Sequence, residues 1–199
     1  TIYINALGVR PGSANYAEVL AHELQHAVHW NGDASEDTWV NEGLAELSTS
    51  IALGASVSIR QFLSGPPTSL VNWPVNSLGR LTNYGASSLF MHFLTEHYGG
   101  RSDLRSLLAQ PKDSIAGIDG YLEELGYESR FEDVFLEWAA ANIIDGDGIL
   151  GYDDLDVGAS VSRRIEGFGE FQSVIPQYAV EYTELESSSE PFTLSFSGP

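Results

Sequence analysis

The chain contains no cysteine. Disulfide bridges and thiolate metal sites are therefore excluded, and the redox compartment is left undecided. It contains a single lysine, Lys112, among 9 basic residues that face 28 acidic ones. The net charge of −19 repels nucleic acid and anionic membrane surfaces and favours solubility and cation binding. Scarce lysine with abundant carboxylate is the composition of proteins from high-salt habitats, and equally of secreted acidic enzymes. No apolar run reaches the length of a bilayer span, so no membrane insertion is expected of this segment. No signal peptide is expected within this segment. The chain opens at Thr1 with "TIYIN", which is already strand-like. We therefore expect a piece of a longer protein, with an extracellular or cell-surface address.

Enough apolar material is present for a core. Of the 199 residues, 43% are hydrophobic and 11% aromatic, which suits one domain or one domain with a fragment of another. "TIYINAL" alternates and predicts a short strand. Asn15 with Glu18 has the spacing of a capping box, so a helix is expected from about Tyr16 to Trp30. A second helix is expected over Thr38–Leu53. "GASVS" and "SGPPTSLVNWPVNSLG" bracket a loop region with three prolines, whose part from Ser64 to Gly79 is expected to border a cleft. "NYGASSLFMHFLTEHYGG" predicts a helix ended by Gly-Gly. Two or three more helices follow to about Ile144, the clearest being "RFEDVFLEWAAANII".

Composition changes after Ile144. "DGDGILGYDDLDVG" is a Gly/Asp loop, and "SVIPQYAVEYTEL" and "PFTLSFSG" read as short strands. The expected fold class is α+β. A short N-terminal sheet segment and an active-site helix lead into a mostly helical half and a β-rich tail. The division falls at residues 1–145 and 146–199. A strand pair alone is marginal, so the tail either packs on the helices or is incomplete.

Chemistry concentrates in "HELQHAVHWNGDASEDTWVNEGLAEL", residues 22–47, with three histidines, six carboxylates and no basic residue. His22 and His26 are one helical turn apart, which aims two imidazoles at one point. Glu23 between them can reach a water bound to an ion held there. This is the HExxH arrangement of zinc peptidases. Catalytic zinc takes three protein ligands and keeps one position open. Glu42 and Glu46 offer two carboxylates on one face of the next helix. One can bind the ion while the other accepts a ring N–H from a ligand histidine. His29 lies about 10 Å along the axis from His22, too far to share the ion, and is expected to line the cleft or to be hydrogen-bonded.

"HELQH" followed by "TWVNEGLAEL" resembles the gluzincin metallopeptidases, whose pattern is HExxH and then Asn-Glu-x-x-x-Asp/Glu. With "YGASSLFMHFLTEHYG" downstream, the likeness is greatest to the hyicolysin-type peptidases, and it covers roughly residues 1 to 150. It implies a zincin-like fold and a catalytic Zn²⁺ held by His22, His26 and Glu42. It further implies Glu23 as general base and Glu46 orienting His22, with a peptide or protein as substrate. Gluzincins take an oxyanion donor, Tyr or His, from downstream. Tyr84 is the candidate here, against a plain role covering the core. In the resembling families Asn41 shapes the cleft. The gap between His26 and Glu42 is shorter than in thermolysin or aminopeptidase N, so their substrate pockets do not carry over.

The expected activity is zinc-dependent peptide hydrolysis, as an endopeptidase. The rivals are a non-catalytic zinc-fold adhesion module, an aminopeptidase, and metal-assisted hydrolysis of a non-peptide bond. Trp30 and Trp39 are expected to pack in the core or as a staple, with substrate contact as the alternative. His92 and His97 are expected to be ordinary helix residues. Asp145, Asp147, Asp153, Asp154 and Asp156 offer oxygen ligands for Ca²⁺, while turn chemistry explains the same residues without an ion.

Overall fold

The computed structural model describes all residues except 1, 3, 6, 55, 56, 75–79, 168, 187–192 and 196–199, and also leaves aside the side chain of residue 57. The described chain is mixed but mostly helical. Seven α-helices run in the order α1 (Ala14–Gly32), α2 (Thr38–Leu53), α3 (Val57–Leu63), α4 (Arg80–His97), α5 (Leu104–Leu108), α6 (Ser114–Glu124) and α7 (Phe131–Ile144). A 3-10 turn over Gly148–Leu150 follows, then strands β1 (Arg163–Ile165) and β2 (Thr183–Leu185).

Helix α1 begins earlier than the sequence pattern predicts. Ser13, in extended conformation, caps it by accepting from the Tyr16 N–H at 3.2 Å. The box expected at Asn15 and Glu18 is thus replaced by a cap two residues upstream. Helix α3 lies where a loop is expected. Its apolar Ile59 and Phe62 are buried, and that burial outweighs the weak local pattern of "VSIRQFL". Of the strand expected at Thr1–Leu7, residues 1, 3 and 6 lie outside the described residues, and Ile2, Ile4 and Asn5 are not in a strand.

Helix α4 is the centre of the molecule. Leu89, Phe90, Phe93 and Leu94 on it are fully buried. Phe90 meets Trp39 of α2 edge-on at 5.7 Å and Trp138 of α7 at 5.8 Å between ring centroids. Truncating any one of these rings to alanine costs about 3–5 kcal/mol by the usual range for buried aromatics. Two glycines let the helices approach. A Cβ on Gly43 of α2 would meet the Ser87 carbonyl oxygen of α4 at 2.9 Å, and one on Gly85 of α4 would collide with the Ser58 carbonyl of α3. Helices α2, α3 and α4 therefore form one tight layer, with α1 laid along α2.

The region beyond α7 lies against the helices. Leu70 N–H donates to the Tyr178 carbonyl at 2.8 Å, Ser160 N–H to Leu63 at 2.8 Å, and the Tyr182 hydroxyl to Ala139 at 2.7 Å. Val157 is buried, and Tyr178 meets Phe131 edge-on. Strand content there is smaller than the pattern predicts. Of "SVIPQYAVEYTEL" only Thr183–Leu185 is a strand, and it pairs in parallel with β1, Arg163 opposite Thr183, a strand not foreseen. The run "PFTLSFSG" lies largely outside the described residues, and Thr193–Ser195 within it are not in a strand. Backbone bonds to the helices replace the hairpin ladder here. Among the described residues, no helix is long and apolar enough to cross a membrane.

Candidate metal centre

The spacing of His22 and His26 on α1 and of Glu42 and Glu46 on α2 brings all four side chains to the α1–α2 seam. His22 Nε2 and His26 Nε2 are 3.0 Å apart. Glu42 Oε2 lies 3.2 Å from the first and 3.3 Å from the second. Three ligand atoms thus form a nearly regular triangle. Neighbouring ligand atoms of a tetrahedral zinc with bonds of 2.0–2.1 Å stand about 3.3 Å apart, so the triangle fits one face of that tetrahedron. Glu42 Oε2 is buried and has no hydrogen-bond partner of acceptable geometry, although both imidazoles are close. An orphaned carboxylate oxygen between two converging imidazole nitrogens is a donor set for a cation.

The far sides of the imidazoles are also held. Asn41 Oδ1 accepts from His26 Nδ1 at 3.0 Å, and Glu46 Oε1 lies 3.4 Å from His22 Nδ1. With an ion in the triangle, each contact would keep the ring proton on Nδ1 and turn the Nε2 lone pair to the ion. Of the two carboxylates left open by the sequence, Glu42 faces both Nε2 atoms and Glu46 faces the opposite edge of His22. Glu46 is itself fixed by Ser58, whose hydroxyl donates to Oε2 at 2.7 Å. Ser58 was not foreseen. It lies on α3, which the sequence pattern did not reveal, and no local motif marks it.

Without an ion the cluster behaves as an ion pair. Burial pulls the His22 imidazolium down, but Glu42 and Glu46 outweigh it and raise the group to about 9. Burial pushes the Glu42 carboxyl up, and the two imidazoles outweigh that and bring it down to about 2.

A cleft of about 410 Å³ opens beside the triangle, and His22, Glu23, Glu46, Ser58 and Tyr84 are among the residues lining it. Glu23 therefore shares the cleft with the His22 imidazole. The Tyr84 ring lies 6.3 Å from the His22 ring and is braced edge-on by Trp73 at 4.9 Å. Burial, reinforced by the Glu42 charge, pushes the Tyr84 hydroxyl up to about 12, so it is a protonated donor at neutral pH.

Other candidates are placed differently. His29 is buried at 2% exposure and joins Asp33 and Glu36 instead of the cleft. Trp39 is in the core, where its indole N–H donates to Ser114 Oγ at 2.9 Å. Trp30, expected in the core, is 72% exposed. His97 donates to the Gly151 carbonyl at 3.0 Å, and His92 has a buried Nε2 without a partner. Asp145, Asp147 and Asp153 are not among the described residues whose ligand atoms gather into a group of three. Asp145 caps α7 in left-handed conformation and accepts from Val157 N–H at 3.2 Å, and the Asp153 N–H donates to Glu96. Comparison with protein-family models and with curated proteins finds no match.

Proposed function

We propose that this chain is a zinc-dependent peptidase of the gluzincin kind with a zincin-like catalytic fold, acting as an endopeptidase. The observation that carries the reading is the 3.0–3.3 Å triangle of His22 Nε2, His26 Nε2 and Glu42 Oε2 beside a cleft that also holds Glu23 and Tyr84. When bound, zinc supplies Lewis acidity, lowering the pKa of a water toward neutrality and polarising a peptide carbonyl.

The chain's own residues do the rest. His22, His26 and Glu42 hold the ion, and Glu46 and Asn41 keep the two rings turned toward it. Glu23 takes the proton of the attacking water and delivers it to the leaving amine. The Tyr84 hydroxyl donates a hydrogen bond to the carbonyl oxygen as it gains charge. Glu23 favours a hydrolase over a zinc-bearing adhesion module, because a purely structural site has no use for a carboxylate in its cleft.

The test is cleavage of casein by the zinc-loaded protein, with and without a chelator, beside the variant Glu23→Gln. Hydrolysis lost on chelation and restored by zinc is expected, with Glu23→Gln keeping its zinc and losing about 10²–10⁴-fold in rate. Chelator-resistant cleavage, or a Glu23→Gln variant that works at the parent rate, refutes the mechanism.

A further inference from the structure

The second cluster on α1 is independent of the cleft. His29, Asp33 and Glu36 each present a ligand atom, and these atoms lie within 4.8 Å of one another. His29 stands in the last turns of α1, Asp33 caps that helix, and Glu36 lies in the connection to α2. Asp33 commits Oδ1 to the Ser35 N–H at 2.8 Å and the Ser35 hydroxyl at 2.9 Å. Glu36 commits Oε1 to the N–H groups of Asp37 at 2.7 Å and Ser114 at 2.8 Å. Each carboxylate thus commits an oxygen to fixing the loop, and the Glu36 N–H also acts on Asp33. His29 is 2% exposed, and its Nδ1 is buried with no hydrogen-bond partner of acceptable geometry, although the Asn41 side chain is near enough to favour its protonated form. A buried imidazole nitrogen without a partner is costly unless something occupies it.

We propose that His29, Asp33 and Glu36 form a second, structural site for a divalent transition cation. One imidazole with two carboxylates suits zinc, cobalt, nickel or manganese better than calcium or magnesium, which prefer oxygen alone. The site holds together three pieces of chain: the end of α1, the α1–α2 connection and, through Glu36 and Ser114, the start of α6. Burial pushes the Glu36 carboxyl up to about 7 against its N–H donors, with Asp113 and Asp33 adding to the rise, and a cation relieves that repulsion. The connection it fixes carries α2 and hence Glu42, so the site sets how firmly the first metal's third ligand is presented.

The experiment counts cobalt and zinc per chain after dialysis at fixed free metal, for the whole chain and for two variants. Asp33→Asn with Glu36→Gln keeps the oxygens that accept from Ser35, Asp37 and Ser114 while removing both charges. Glu42→Gln with His26→Ala removes the first site. Two equivalents are expected for the parent and one for each variant, with thermal melting confirming that both variants are folded. An Asp33→Asn/Glu36→Gln variant whose metal content matches the parent's, or a parent whose bound metal is lost entirely in Glu42→Gln/His26→Ala, overturns the second site. Loss of an equivalent in that variant alone, with Glu42→Gln/His26→Ala unchanged, supports the second site and refutes the first.

Discussion

Replacing Asn41 by alanine tests the site without touching a ligand atom. Asn41 Oδ1 accepts from His26 Nδ1 at 3.0 Å, and that bond leaves Nε2 free to face Glu42. Losing such an orienting partner costs about 10–100-fold in metal affinity, or about 1.4–2.7 kcal/mol. At a zinc concentration well above saturation the loss appears directly as stability. For a chain of this length each kcal/mol moves the melting temperature by about 2–4 °C, so the zinc-bound Tm falls by roughly 3–11 °C. The metal-free Tm should move much less. Asn41→Asp is the control, because aspartate keeps the acceptor and adds charge behind the imidazole, so its zinc affinity should equal or exceed the parent's. Competition against a chromophoric chelator measures affinity, and melting with and without zinc measures stability. If alanine lowers the metal-free and zinc-bound Tm equally and leaves affinity intact, Asn41 only supports the helix and the orienting role is wrong.

Three further outcomes follow from the same coordinates. Tyr84→Phe should lower kcat by about 10²–10³-fold while zinc content and KM stay near the parent's, and steady-state kinetics on a peptide reads this directly. Gly85→Ala should destabilise the fold by about 1–3 kcal/mol in urea, because its Cβ collides with the Ser58 carbonyl. It should also weaken zinc binding, because Ser58 holds Glu46 at 2.7 Å. His92 is held down to about 4 by burial, with Arg101 adding and Asp154 opposing, from an ordinary 6.5. The folded state therefore binds fewer protons there than the unfolded state, and the stability His92 contributes is present above pH 6.5 and lost as pH falls toward 4. The full loss is about 3 kcal/mol, and His92→Leu should flatten the urea-derived stability curve over that window by a similar amount.

The helices were legible where burial and local signals agree. Helix α2 spans Thr38–Leu53 as its pattern predicts, because Trp39, Val40, Leu44 and Leu47 repeat at helical spacing on its buried face. Helix α3 was not legible, because seven residues bury only a few side chains and depend on α4 for stability. The parallel β1–β2 pair was hidden for a similar reason. Each strand has three residues, and what brings them together is the long return of chain against α7, not their own alternation. At the site, i and i+4 spacing put His22 with His26, and Glu42 with Glu46, on one face of each helix, while the Asn41–His26 bond and the meeting of the two pairs depend on how α2 returns along α1. Ser58 and the His29 cluster were not legible. They depend on how the α1–α2 connection and α3 fold back, which no local spacing encodes.

The account rests on one coordination shell. X-ray absorption on the zinc-loaded chain measures it most directly. The expected spectrum shows four light ligands, two of them imidazole nitrogens at about 2.0–2.1 Å, with the imidazole signal reduced in His26→Ala. A zinc spectrum without imidazole scattering, or one unchanged by His26→Ala and by Glu42→Gln, contradicts the assignment of this seam as the metal centre.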